Sequence, residues 1–163
     1  MTNIAGKISD KKKVLDALDR NILRELQLNG RISLADLGRK LGRSRARIQQ
    51  KLLKLEKAGV ITGYLTRVDP KALGIPLTAI VYLPIDLSRV QHFSMAAKSR
   101  CDISEWYIAQ DPTTTCILKA HTSSVAKLQD LLDFLTPYGT PSVTLVLSSP
   151  VDFRAIGAID STT

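Results

Sequence analysis

Between Leu15 and Gly59, three short blocks of apolar residues recur at helical spacing, and only a few residues separate one block from the next. Leu15, Leu18, Ile22 and Leu26, with Leu23 alongside, form the first stripe; Asp16 suits its N-cap and Asn29-Gly30 its stop. Leu34, Leu37 and Leu41 form the second, which Ser33 can cap with Asp36 three residues on, and which Gly42 ends. The third starts at Ser44, carries Ile48, Leu52 and Leu55 on one face and closes at Ala58-Gly59. Three helices joined this tightly predict a compact bundle. The tight Gly42-Arg43 turn between the second and third is the helix-turn-helix layout, which leaves the third helix free to enter a major groove.

The rest of the chain reads differently. Ile61 to Val68 alternates apolar and polar residues before Asp69-Pro70, and predicts a strand or wing leading into a linker through Gly74 and Pro76. Strand signals then cover 77–85, 103–109, 114–120 and 142–149. Helical stripes cover 90–99 (Val90, Phe93, Ala96, Ala97) and a block capped by Ser123 (Leu128, Leu131, Leu132, Leu135). The order β-α-β-β-α-β predicts a ferredoxin-like sheet with both helices on one face, and a second subunit is the simplest cover for the other. The fold class is therefore α+β, a three-helix winged helix-turn-helix domain followed by a ferredoxin-like domain. The expected divisions are a flexible basic arm over 1–13, a DNA-binding domain with its wing over 14–69, an assembly domain over 70–152 and a tail over 153–163.

Charge follows the same division. Of the net +8, residues 1–69 carry +9 and residues 70–163 carry −1. Positive charge confined to one half points to a polyanionic partner for that half. Its densest run is Gly42-Arg43-Ser44-Arg45-Ala46-Arg47-Ile48-Gln49-Gln50-Lys51. On a helix, Arg45 and Gln49 lie one turn apart on one face, and Arg47 and Lys51 on another. Arg matches a guanine edge and Gln an adenine edge in bidentate fashion, while phosphates accept Arg, Lys, Ser and the N–H groups of a helix N-terminus. Cations at a helix start oppose the macrodipole, so three Arg with no acid beside them make a merely solvated face a poor explanation. Arg43, Ser44, Arg45, Arg47, Gln49 and Lys51 are the candidate DNA-binding residues. Arg31, Arg39, Lys40, Lys54 and Lys57 fit phosphate contact or solvation equally well.

Other function classes find little support. His92 and His121 are the only histidines, and no Cys/His/Asp group has metal-ligand spacing. There is no phosphate-binding glycine loop and no nucleophile elbow, and Asp130 and Asp133 read as a solvated helix face. No enzymatic activity, metal or cofactor is expected. Cys101 and Cys116 form no disulfide framework, the N-terminus lacks an apolar secretory segment, and no stretch is long enough to span a membrane. A cytoplasmic setting is the expectation.

Leu18-Asp19-Arg20-Asn21-Ile22-Leu23, Asn29-Gly30-Arg31-Ile32-Ser33, Leu37-Gly38 and the run Leu55-Glu56-Lys57-Ala58-Gly59-Val60-Ile61-Thr62-Gly63-Tyr64 resemble the Lrp/AsnC (leucine-responsive, feast/famine) transcription regulators. The resemblance covers nearly the whole chain. It implies double-stranded DNA as partner, dimers paired through the second domain and often built into tetramers or octamers, and an amino acid or related metabolite bound between subunits. Two departures stand out. Arg45 and Arg47 occupy a helix start where the family often has small residues. The family's Gly-Asp-aromatic-Asp turn is here Gln110-Asp111-Pro112-Thr113, so Gln110, Asp111 and Thr113 are the candidate effector residues, with a plain Asp-Pro turn the alternative for Asp111. Two other readings differ in kind. A ligand-independent DNA-architectural oligomer fits the altered turn. A sirohaem-decarboxylase-like enzyme on the same scaffold fits poorly, because the second half carries −1 and only two His.

Overall fold

A computed structural model describes residues 15–110 and 114–150. They fall into two units, one running to Leu65 and the other starting at Thr66. The expected arm over 1–13 and tail over 153–163 lie outside the described residues.

The first unit holds α1 (Ala17–Leu28), α2 (Leu34–Leu41) and α3 (Arg45–Lys57). Each begins at the cap its sequence offers. Asp16 accepts from the Asp19 backbone N–H while Asp19 reaches back to that of Asp16; Ser33 accepts from Asp36 and Ser44 from Arg47. Each bond satisfies a donor that the first turn would leave unpaired. Ile22, Leu37, Ile48, Leu52 and Leu55 form the buried centre, with Leu15, Leu18, Leu26, Leu34 and Leu41 packed around it.

The expected strand over Ile61–Val68 is not a strand in this chain: residues 62–69 have no regular secondary structure. A strand needs a partner for its ladder, and every ladder among the described residues joins strands of the second unit. Tyr64 Oη instead donates to Glu56 Oε1 on α3 at 2.9 Å, while Leu65 is left 93% exposed.

The second unit runs β1 (Leu77–Pro84), α4 (Val90–Ala97), β2 (Ile103–Gln110), β3 (Thr114–Thr122), α5 (Val125–Leu135) and β4 (Ser142–Leu145). The sheet order is β2-β3-β1-β4 with antiparallel pairing throughout, the ferredoxin-like arrangement. Two boundaries differ from expectation. Ser124, not Ser123, caps α5: its hydroxyl accepts from the Lys127 N–H and its carbonyl from the Leu128 N–H. β4 stops at Leu145 rather than Ser149 because β1, its partner, begins at Leu77; beyond Leu145 only the Val146 N–H still reaches the Thr78 carbonyl.

Residues paired directly across antiparallel strands share a face. Ala79, Val81 and Leu83 of β1 and Cys116, Leu118 and Ala120 of β3 therefore line one face, buried against Val90, Phe93 and Ala97 of α4 and Leu128, Leu131 and Leu135 of α5. Phe93 is the centre, packing edge-on against Trp106 at 5.6 Å and Tyr138 at 5.1 Å between ring centroids. Burial pushes the Cys116 thiol up to about 11, so it stays a neutral core group. Arg100, just past α4, holds Asp102 through two guanidinium nitrogens and lies 4.9 Å over the Phe134 ring.

The other face carries no helix. Register places Ile80, Tyr82, Tyr107, Ile117, Lys119 and His121 on it. Tyr82 is 43% and Tyr107 57% exposed. Lys119 pairs with Glu105 at 3.1 Å, and His121 Nδ1 lies 3.0 Å from Thr78 Oγ1 on the paired strand. Partial burial, and secondarily Lys119, hold the His121 imidazole below its usual value of 6.5. The folded state therefore binds its proton less readily than the unfolded chain does, and stability falls as pH drops through that range.

Two outcomes follow. Phe93→Ala should destabilise the second unit by about 3–5 kcal/mol in denaturant unfolding, since it opens a cavity among rigid rings. His121→Gln should flatten the loss of thermal stability between about pH 7.5 and 5.5 while leaving the steeper acid limb in place; an unchanged slope would show that the imidazole titrates as in the unfolded chain.

Candidate nucleic-acid interface

The geometry of α3 starts with the turn before it. Gly42 adopts φ 62°, ψ 37°, the left-handed conformation that closes α2. The Arg43 N–H bonds the Gly38 carbonyl at 2.9 Å and the Gly42 N–H the Arg39 carbonyl at 3.3 Å, the paired bonds of a Schellman motif. Gly38 makes the turn possible from the other side. A Cβ on it would come 2.7 Å from the Arg43 carbonyl oxygen, so a side chain there would push the start of α3 away from α2. Two glycines thus set the angle at which the Arg-rich turn leaves the bundle.

Arg43, Ser44, Arg45, Arg47 and Gln49 are all exposed. The first turn of α3 contains no acid. Arg43 Nη1 donates to the Gly42 carbonyl at 3.1 Å, which keeps that guanidinium beside the turn. Arg47 Nη1 donates to Gln50 Oε1 at 3.1 Å. Among the described residues, Arg45 and Gln49 make no side-chain hydrogen bond or ion pair, so their donors are uncommitted. The exposed start of α3 is a surface of cations, hydroxyl and amide groups, with Ile48, Leu52 and Leu55 holding its opposite side in the core.

Lys51 does not belong to that surface. Helical spacing places it below Arg47, yet its side chain turns inward and the residue is only 7% exposed. Its ammonium lies 2.5 Å from Asp16 Oδ2 and 2.9 Å from Asp19 Oδ1, the two carboxylates at the start of α1. A buried ammonium needs such partners, because desolvation without them costs several kcal/mol. The candidate assignment of Lys51 to DNA is therefore corrected: its charge is already met inside the protein. The pair raises the Lys51 pKa, chiefly through the Asp16 bond, and lowers that of Asp16 to about 2.

The same economy removes two second-tier cations. Lys40 on α2 bonds Glu25, a buried acid of α1, and Arg39 meets Asp36 at 2.5 Å. Sequence periodicity did not reveal Asp19 and Glu25 as buried acids; the capping-box spacing of Asp16 and Asp19 was the one available signal, and it spoke for a cap rather than for a cation site. Of the candidate effector residues, Gln110 ends β2 opposite Thr114, while Asp111 and Thr113 lie outside the described residues. Among the described residues no group of His, Cys, Asp and Glu has the makings of a metal site, and no helix is long and apolar enough to cross a membrane.

A tight helix-turn-helix with a cationic leading helix, followed by a ferredoxin-like domain, defines a two-domain DNA-binding protein. Residues 15–62 match the winged helix-turn-helix DNA-binding family. The chain is 30% identical over 141 residues to the transcriptional regulator LrpC of Bacillus subtilis, spanning 86% of this chain and 96% of that one. It is 34% identical over 125 residues, 75% of each chain, to the leucine-responsive regulatory protein of Haemophilus influenzae. The solved structure of B. subtilis LrpC matches with a TM-score of 0.79 at 27% identity, covering 86% of this chain and 99% of that one. A transcriptional regulator of Neisseria meningitidis, solved in complex with L-Met, shares the fold with a TM-score of 0.79 at 21% identity, over 88% of this chain and 96% of that one. The chain belongs to the Lrp/AsnC family of helix-turn-helix transcription regulators.

The burial of Lys51 separates two kinds of substitution. Lys51→Met should lower the denaturant midpoint of the first unit, because it leaves two carboxylates facing one another without their cation. Lys54→Met, at an exposed site on the same helix, should leave the midpoint where it is. Equal effects would show that the Lys51 ion pair contributes nothing.

Proposed function

We propose that this protein is a sequence-specific transcription regulator that binds a roughly palindromic DNA site as a dimer or higher oligomer, with α3 in the major groove. One observation carries the reading: the exposed start of α3 gathers Arg43, Ser44, Arg45, Arg47 and Gln49 with no acid in its first turn. In this reading Arg45 and Gln49, whose donors are uncommitted, meet base edges, while Arg43, Ser44 and the N-terminal N–H groups of α3 meet phosphates. Residues 14–69 act as the DNA-binding module and 70–152 as the assembly and effector module. Dimers pair through the second domain and build tetramers or octamers, a second copy covering the helix-free face of Ile80, Tyr82, Tyr107 and Ile117. Two-fold symmetry then sets the half-sites about 10 bp apart or at multiples of that spacing.

An amino acid or related metabolite modulates binding from the neighbourhood of Gln110, Asp111 and Thr113. The L-Met complex of the Neisseria regulator supports this, as does the family to which the chain belongs. The departure of Gln110-Asp111-Pro112-Thr113 from the family's turn favours a second reading, a ligand-independent oligomer that organises DNA. Addition of amino acids during a DNA-binding titration distinguishes the two: a shift in affinity or assembly supports the effector, and no shift for any of them supports the architectural reading.

The full chain should be mixed with a pool of genomic fragments at about 100 mM salt, and the retained fragments sequenced. A palindromic motif is expected; retention without a motif, or none, overturns the specific reading. Affinity for the selected site should fall about a thousandfold between roughly 50 and 200 mM salt if about six phosphates are neutralised. Arg45→Ala should relax base preference at one position per half-site, whereas Lys54→Ala should weaken all sequences alike.

A further inference from the structure

Gln50 was not among the residues that the sequence pattern singles out, yet it is the one side chain on the exposed surface of α3 that bonds a candidate base-reading arginine. Arg47 Nη1 donates to Gln50 Oε1 at 3.1 Å, one turn of helix apart, with both residues exposed. The chemistry of the two groups fixes the direction of that bond. A guanidinium has five N–H donors and no acceptor, so only the oxygen half of the Gln50 amide can meet it.

That bond changes what Gln50 offers to a duplex. A free glutamine reads adenine with both halves, accepting from N6 and donating to N7. With Oε1 committed to Arg47, the amide has only its NH2 left. Arg47 likewise has only donors left. The two side chains together present donors and no acceptor, and so lack the half of the code that adenine requires. Guanine presents two adjacent acceptors in the major groove, O6 and N7. Gln49 differs: its amide is uncommitted among the described residues and keeps both halves.

We propose that Gln50 is a specificity-determining residue which, paired with Arg47, forms a composite donor-only reader selecting guanine in each half-site. The proposal rests on the reading of α3 as the base-contacting helix. Gln50 acts both by its own NH2 and by holding the Arg47 guanidinium in one orientation, which reduces the rotamer entropy lost when the arginine binds.

The test compares the motifs and relative affinities selected by the full-length wild type, Gln50→Ala, Gln50→Glu, Arg47→Ala and the double variant. The expected wild-type motif contains a guanine whose preference over the other bases drops about tenfold in Gln50→Ala and in Arg47→Ala. The double variant should lose no more than either single one, because the two groups read as a unit. Gln50→Glu keeps an acceptor for Arg47 but removes the NH2 donor, so the guanine preference should fall there too. Gln50 is exposed, and unchanged melting of each variant shows that folding is intact. Uniform weakening across all sequences, an unaltered guanine preference, additive losses, or loss of an adenine in place of a guanine each overturns the proposal while leaving the regulator reading standing. A wild-type protein that retains no DNA, or selects no motif, overturns both.

Discussion

Lys51 is a cation taken out of water in a bundle of three short helices, and the arrangement of the first domain turns on what receives it. Asp16 and Asp19 of α1 do so. These two carboxylates already cap α1 and complement the positive end of its dipole, so the lysine completes a site that the helix start has half built. A second tie of the same kind joins Lys40 of α2 to Glu25 of α1. Both helices that flank the turn are thus fastened to α1 by ion pairs with a buried acid. A small bundle has a thin apolar core. Polar ties of this sort add geometric definition where apolar packing alone leaves helices free to slide.

The consequence for recognition is a division of charge on α3. The lysine that helical spacing places beneath Arg47 faces inward, and the arginines face outward. Gly42 and Gly38 then set where the outward surface points, one by its left-handed backbone and the other by having no side chain to hold α2 and α3 apart. What remains exposed at the start of the helix is a set of donors without a carboxylate in the first turn. Membership of the Lrp/AsnC family gives that surface its context as a DNA-binding element, and the proposed assignment of roles within it follows from which donors are committed inside the protein and which are not.

The second domain solves a different problem. Its sheet buries one face under α4 and α5 and leaves the other with two half-exposed tyrosines, Ile80, Ile117, a Lys–Glu pair and a histidine bonded to a threonine. Apolar and aromatic residues beside paired charges form a face that a second copy of the chain is proposed to cover. The polar groups on it are already satisfied within the sheet, so covering it would leave few of them without a partner.

Much of this was legible in the sequence. The three stripes at helical spacing, the caps Asp16, Ser33 and Ser44, the Gly42 stop and the β-α-β-β-α-β order are local signals, because periodicity and capping depend on residues within a turn or two of one another. The exposure of Arg43, Arg45 and Arg47 followed from the same periodicity. Three features came only with the tertiary structure. Ile61–Val68 has the alternation of a strand but no ladder, since pairing depends on a partner and not on pattern. Lys51 shares a helical face with Arg47 yet turns inward, since its direction depends on carboxylates thirty-odd residues earlier in the chain. Gln50 gained its role from a bond to Arg47 that helical spacing allows but does not demand. The sequence by itself determined which segments coil, where they stop and which half carries the positive charge. The packing of α1 against α3 decided which of those charges remain available to a partner, because a charge is free only where no opposite charge has been brought within reach of it.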